Sequence, residues 1–213
     1  MTLSEQIYRE LYRDITRNHL APGQKLTLKV LKERFGSSHT PIREALNRLA
    51  ENGLVTYVSN SNYCVTSFTE EDIRETYQFM AELDAMAIRF CRNAYNPIPL
   101  LLELEDNLTK GNQCLEQGDA KGWLFYSHDF HIIFYRHAQN GYLEKAAEKI
   151  RARISILSSL YSHDDTLTKI NDNHEQIYQR IKDGDYDGAA AEMVRHLQYD
   201  MVFALNAYKK MDN

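Results

Sequence analysis

From Thr69 onward the chain carries one kind of structural signal: apolar residues recur at three- and four-residue intervals, and nothing alternates as a strand would. The periodic segments cover about 70–93, 97–117, 119–139, 141–161, 166–183 and 185–209. Short breaks separate them, among them Asn96-Pro97, Gln117-Gly118-Asp119 and Asp183-Gly184-Asp185. An amphipathic helix must bury its apolar stripe against another element, so six in succession with short connections predict an all-helical bundle.

The first 68 residues read differently. Ser4 is positioned to cap a helix over about 5–19, with Ile7, Leu11, Ile15 and Leu20 on one face and Ala21-Pro22-Gly23 ending it. A second helix is expected over 27–35, closed by Gly36. A third begins with Thr40 as N-cap and Pro41 at the first helical position, and stops at Gly53. Leu54–Val58 and Tyr63–Phe68 then alternate around Ser59-Asn60-Ser61-Asn62, as a β-hairpin does. Three helices and a hairpin are the order of a winged helix-turn-helix. The expected fold is therefore mainly α: a winged helix-turn-helix domain over 1–68 with a small hairpin wing, then an all-helical bundle over 69–213, joined near Ser67–Glu70.

Charge divides the chain at the same place. Residues 1–66 hold nine Lys/Arg against six Asp/Glu, whereas 67–213 hold sixteen against twenty-four, and the whole chain of 213 residues carries −5. A basic module suited to a polyanion precedes an acidic one. No stretch approaches the roughly 18 apolar residues of a membrane span, and the N-terminus has no signal-peptide pattern, so the expected location is cytoplasmic, with no membrane partner. Cys64, Cys91 and Cys114 are widely spaced and odd in number, which suggests neither a disulfide framework nor a thiolate zinc site.

The stretch "RFGSSHTPIREALNRLAENGLV" (34–55) carries the most specific chemistry. Ile42, Ala45, Leu46 and Leu49 form the buried stripe of its helix, leaving Arg43, Glu44, Asn47 and Arg48 outward. In a helix-turn-helix the second helix enters the major groove N-terminus first. Short donors at its front reach bases and phosphates, and an Arg one turn in can bond a guanine edge. Ser38, His39, Thr40 and Arg43 suit that task.

The longer segment "LAPGQKLTLKVLKERFGSSHTPIREALNRLAENGLV" (20–55) resembles the signature of GntR-type transcriptional regulators: a Pro-Gly turn, then "Leu-x-x-x-Phe-Gly-x-Ser", then "Thr-Pro-x-Arg-Glu-Ala-Leu-x-x-Leu". The resemblance implies that Lys29, Ser38, His39, Thr40 and Arg43 contact the operator and that the hairpin tip near Asn62 enters the minor groove. His39 stands where the family often has Arg, and Asn62 where it has a wing Gly. The second half resembles the helical effector domain of the FadR-like branch, called FCD, through "FHIIFYRHAQNGYL" (130–143), "NHEQIYQRIKDGDYDGAAAEM" (173–193) and "RHL" (195–197). Many members hold a divalent metal through an Asp and three His. By that resemblance His131, His174 and His196 take the imidazole positions, while the Asp position is Ser127. Three imidazoles remain a recognised set for zinc or nickel. His128 and Asp129 are expected to point away from the Ser127/His131 face. Many members also use an Arg in the first effector-domain helix to hold an organic acid. Its counterpart here is Met80, which leaves Arg151 and Arg153 as candidate carboxylate partners beside Ser127.

"HEQIY" lacks the second His of the zinc-protease motif, and no Glu-x-x-His pair, catalytic Ser-His-Asp spacing or phosphate-cradling Gly loop stands out. The sequence is read as a homodimeric repressor that binds a palindromic double-stranded operator and answers to a small effector, an organic or sugar acid. The alternative is a metal-dependent hydrolase or isomerase built on the bundle.

Overall fold

The computed structural model describes residues 1–58, 62–160 and 164–211. The chain runs α1 (Leu3–Thr16), β1 (Lys25–Leu26), α2 (Leu28–Phe35), α3 (His39–Glu51), β2 (Val55–Val58), β3 (Asn62–Val65), α4 (Glu70–Cys91), α5 (Ile98–Glu116), α6 (Ala120–His137), α7 (Gly141–Ser158), α8 (Asp164–Lys182) and α9 (Tyr186–Met211).

In the N-terminal part Ile7, Leu11 and Ile15 of α1, Leu28 and Leu31 of α2, and Ile42, Ala45, Leu46 and Leu49 of α3 turn inward to one core. The helix starts depart from the expected ones. Thr2, not Ser4, caps α1 by accepting from the Glu5 N–H at 3.2 Å. The helix stops at Thr16, and Asn18 adopts a left-handed φ of 55°, so Leu20 lies beyond it. Asn tolerates that conformation and ends the helix before the Pro-Gly turn is reached. Gly36, at φ 58°, closes α2 and turns the chain toward α3. The N-cap of α3 is Ser38 rather than Thr40. Pro41 therefore sits deeper in the first turn, where no N–H has an intrahelical acceptor, so a proline there does not fix which residue starts the helix.

The sheet has the order β1-β3-β2, all antiparallel. Strand β1 is an addition to the expected hairpin: two residues are too few to leave an alternating pattern, and Lys25↔Cys64 and Leu26↔Tyr63 pair only because β3 is present. Strand β3 ends at Val65 rather than Phe68, and Asn62 pairs with Val58 instead of standing in the turn. The remaining turn positions, 59–61, lie outside the described residues.

The six helices of the bundle follow the expected segments closely. Thr69 caps α4 in a reciprocal box: its hydroxyl accepts from the Asp72 N–H at 3.1 Å, and its own N–H donates to the Asp72 carboxylate at 2.9 Å. Arg153 of α7 reaches Asp72 at 3.4 Å, and its guanidinium lies 4.9 Å from the centre of the Phe68 ring, which ties the joint to the bundle. Helix α4 packs along α9, α5 along α6, and α8 against α9 and α5. Trp123, Phe130 and Phe134 of α6 are fully enclosed among them, each such side chain contributing roughly 1.5–3 kcal/mol by burial. The Trp123 indole N–H donates to Asn171 of α8 at 3.1 Å, and the Asn171 amide donates to Asn112 of α5 at 2.7 Å. This chain of polar contacts fixes the register of α6 against α8 one turn from His174. Cys64, Cys91 and Cys114 are free thiols; burial pushes that of Cys91 up to about 12.

Candidate nucleic-acid interface and metal centre

Burying one stripe of α3 leaves Ser38, His39, Thr40 and Arg43 exposed along its N-terminal edge, with Lys29 exposed on α2. Two of the other outward polar residues of α3, Asn47 and Arg48, are used internally. Asn47 accepts a hydrogen bond from the Tyr63 hydroxyl at 2.6 Å, which clamps α3 to β3. Arg48 donates to Glu5 at 2.6 Å and lies 4.2 Å from the centre of the Tyr8 ring, which clamps α3 to α1. The polar working edge therefore narrows to the front of the helix. Asn62, partly exposed, begins β3 away from that edge.

Inside the bundle, His131 of α6, His174 of α8 and His196 of α9 converge. All three are buried, and each offers a ring nitrogen that lies within 4.8 Å of the other two. The Nε2 atoms of His174 and His196 are 3.1 Å apart, and those of His196 and His131 3.3 Å. Donor atoms around a tetrahedral zinc ion, at bond lengths of about 2.0–2.1 Å, stand roughly 3.3 Å apart, so the donor set fits a small divalent ion. Its electronic state fits as well. Burial and the mutual proximity of the rings hold the pKa of His174 and His196 well below the ordinary imidazole range, so both keep a lone pair for an ion. The His131 Nδ1 lies 2.7 Å from an Asp84 oxygen of α4, a contact that orients the ring with its Nε2 toward His196. Asp84 accepts with its other oxygen from the Tyr135 hydroxyl at 2.6 Å. Phe130 stacks on His174, centroids 4.3 Å apart and planes at 17°.

A cavity of about 30 Å³ adjoins the imidazoles; Met80, Asp84, Ser127, His131, Arg151 and Asp200 are among its walls. Arg151 extends over the Tyr135 ring at 4.5 Å with its guanidinium 3.8 Å from Asp84, and it also lines a cleft between α1 and α7 that includes Tyr8 and Tyr12. Of the expected effector residues, Ser127 and Arg151 meet at the cavity. Arg153 does not, because Asp72, Thr76 and Phe68 engage it at the joint. The expectation for His128 also fails: its ring turns into the same cavity, 2.7 Å from the Ser158 hydroxyl, because α7 packs on that side of α6. Asp129 does point elsewhere, to Arg136 and Asn107. Sequence reasoning misses Asp84 and Asp200. For Asp200 a signal exists, as His196 and Asp200 are four apart on one helix; for Asp84, on a different helix from its partner, there is none.

A helix-turn-helix with a strand wing, joined to a helical bundle with an interior cavity, is the architecture of a transcription regulator. The chain belongs to the GntR family of bacterial regulatory proteins, in the branch that carries an FCD domain: the gntR-family model matches residues 3–65 and the FCD-domain model residues 75–199. It is 24% identical to the transcriptional regulator McbR of Escherichia coli over 213 residues, covering 99% of this chain and 96% of that one. It is likewise 24% identical to the regulator YdhC of Bacillus subtilis, over 92% of this chain and 88% of that one, and to the repressor RspR of E. coli, over 92% and 86%. The solved structure of E. coli McbR/YncC superposes with a TM-score of 0.84 at 24% identity, covering 98% of this chain and 99% of that one. A regulator from Rhodococcus gives 0.79 at 18% identity, over 98% and 100%. The family and these relatives are regulators, which overturns the hydrolase or isomerase alternative. Among the described residues no helix is long and apolar enough to cross a membrane.

Proposed function

We propose that the chain is a cytoplasmic, effector-responsive repressor in which residues 1–68 bind one half of a palindromic double-stranded operator and residues 69–213 form the dimer and hold the effector. Ser38, His39, Thr40 and Arg43 read or grip the major groove, Lys29 contacts phosphate, and the wing beginning near Asn62 follows the minor groove. His131, His174 and His196 hold a divalent ion, zinc or nickel, whose Lewis acidity supplies an anchor for the carboxylate of a small organic or sugar acid. Arg151 and Ser127 complete that acid's site.

The observation that carries this reading is the convergence of three buried imidazoles, their ligand atoms within 4.8 Å of one another, beside a cavity walled by Arg151. An effector drawing on Arg151 competes for its contacts with Asp84 and Tyr135. The same side chain borders the cleft with α1, so occupancy of the cavity bears on the N-terminal part. Regulation requires only that the effector prefer one of the two arrangements. In favour of a dimer, Phe79 and Met86 on α4 and Tyr199 and Val202 on α9 leave apolar side chains exposed.

The test is to select duplexes from a random library with the purified protein, then titrate the recovered site with organic and sugar acids in the presence and absence of zinc or nickel. The expected result is a two-fold symmetric site, a dimer in sedimentation, and at least one acid that shifts DNA affinity only when metal is present. Absence of any enriched sequence would reject the regulatory reading. An acid response indifferent to metal would reject the role of the ion.

A further inference from the structure

Imidazole ligands bring no negative charge to a divalent ion, and Ser127 on α6 offers only a hydroxyl. Among the described residues, Asp84 and Asp200 are the carboxylates adjoining the cluster. Asp84 engages the opposite ring nitrogen of His131, with one oxygen held by Nδ1 and the other by the Tyr135 hydroxyl, so it orients a ligand and does not face the ion. Asp200 stands on the other side. It lies one turn beyond His196 on α9, buried, on the wall of the same cavity, with Oδ2 3.9 Å from the His196 Nε2. Residues four apart share a helix face, so both side chains project toward the same point. That separation is about 0.6 Å more than the edge of a tetrahedral zinc sphere, within reach of a side-chain rotation.

We propose that Asp200 is the fourth protein ligand of the ion held by His131, His174 and His196, so that α9 supplies two ligands and α6 and α8 one each. This rests on the metal reading above. A carboxylate there brings the net charge of the filled site from +2 to +1, which a single acidic effector can neutralise.

The experiment uses the full-length protein with cobalt(II), whose visible absorption reports its ligands. Wild type should bind about one cobalt or zinc ion per chain. Asp200→Asn should weaken the affinity roughly tenfold to a hundredfold or more and change the visible spectrum, with the helical circular dichroism retained. Asp200→Cys should add a thiolate-to-cobalt charge-transfer band in the near ultraviolet, which arises only if the side chain at this position touches the ion; this readout holds even if the Asn variant folds poorly. An Asp200→Cys protein that binds cobalt without such a band would overturn the proposal, as would unchanged affinity and spectrum in Asp200→Asn while His174→Ala loses the metal. In both cases the three-histidine site would stand. A wild-type protein that takes up neither cobalt nor zinc would overturn the metal reading itself and this inference with it.

Discussion

The two working regions of this protein use polar side chains in opposite ways. Along the front of α3 the polar groups are exposed: Ser38, His39, Thr40 and Arg43 face solvent, and Ile42, Ala45, Leu46 and Leu49 supply the helix's share of the core beneath them. In the bundle the polar groups are enclosed and interdependent: His131 is held by Asp84, Asp84 by Tyr135, His131 stacks on His196, and His174 stacks on Phe130. An exposed residue can be changed for the sake of a new operator at little structural cost. A buried one is committed, because removing it leaves its neighbours in a low-dielectric interior without a partner.

The strongest challenge to this contrast is acid. Burial holds His128 down to about 4, and His174 and His196 well below the ordinary imidazole range. The unfolded chain takes up protons as pH falls through about 6.5, while the folded chain does not, so folding stability must fall with pH, by at most about 1.4 kcal/mol per pH unit for each such ring. Denaturant unfolding of the metal-free protein between pH 7 and 5 should show a steep loss. A flat profile would mean that the imidazoles are far less enclosed than the contrast demands.

Next in size is His174→Ala. Losing an outer partner of a metal ligand already costs roughly 10–100-fold in affinity, so losing the ligand should cost more than about 100-fold, along with stability from the contact with Phe130. Calorimetric zinc titration and thermal melts would show both losses, whereas undiminished zinc affinity would dissolve the cluster as a unit. Arg43→Ala should do the reverse. It should lower melting far less than His174→Ala and leave zinc binding unchanged, but cost about 1–3 kcal/mol per operator half-site and relax base preference at one position. A drop in melting temperature comparable to that of His174→Ala would show that the α3 edge is not an independent surface. Smallest of all is Thr69→Ala at the joint. It removes the reciprocal cap of α4 and should cost about 1 kcal/mol in global stability, with zinc and DNA affinities unaltered.

The recognition edge is legible in the sequence because its residues lie on one short helix, where a 3.6-residue period assigns faces at once. The correction needed there is small: the start moves to Ser38, since a proline anywhere in the first turn is equally acceptable. The part of that surface which misleads is its C-terminal half. Asn47 and Arg48 read as outward, but Tyr63 and Glu5, distant in sequence, draw them back. The histidines stand out by resemblance, not by spacing, and their supports do not stand out at all. Asp84 and Arg151 come from helices whose alignment with α6 depends on how α4, α7 and α9 pack.

Local physics thus determined the secondary elements, the winged order of the first part, the helical content of the second and the faces of α3, because propensity, capping and periodicity act within a few residues. Tertiary packing alone decided that β1 exists, that Arg153 serves the joint and Arg151 the cavity, that His128 turns inward, and that three imidazoles separated by up to 65 positions bring one ring nitrogen each within 4.8 Å of one another. Such contacts depend on helix register and rotation, which are set by the summed burial of side chains such as Trp123, Phe130 and Phe134 from many parts of the chain, and no short stretch contains that sum.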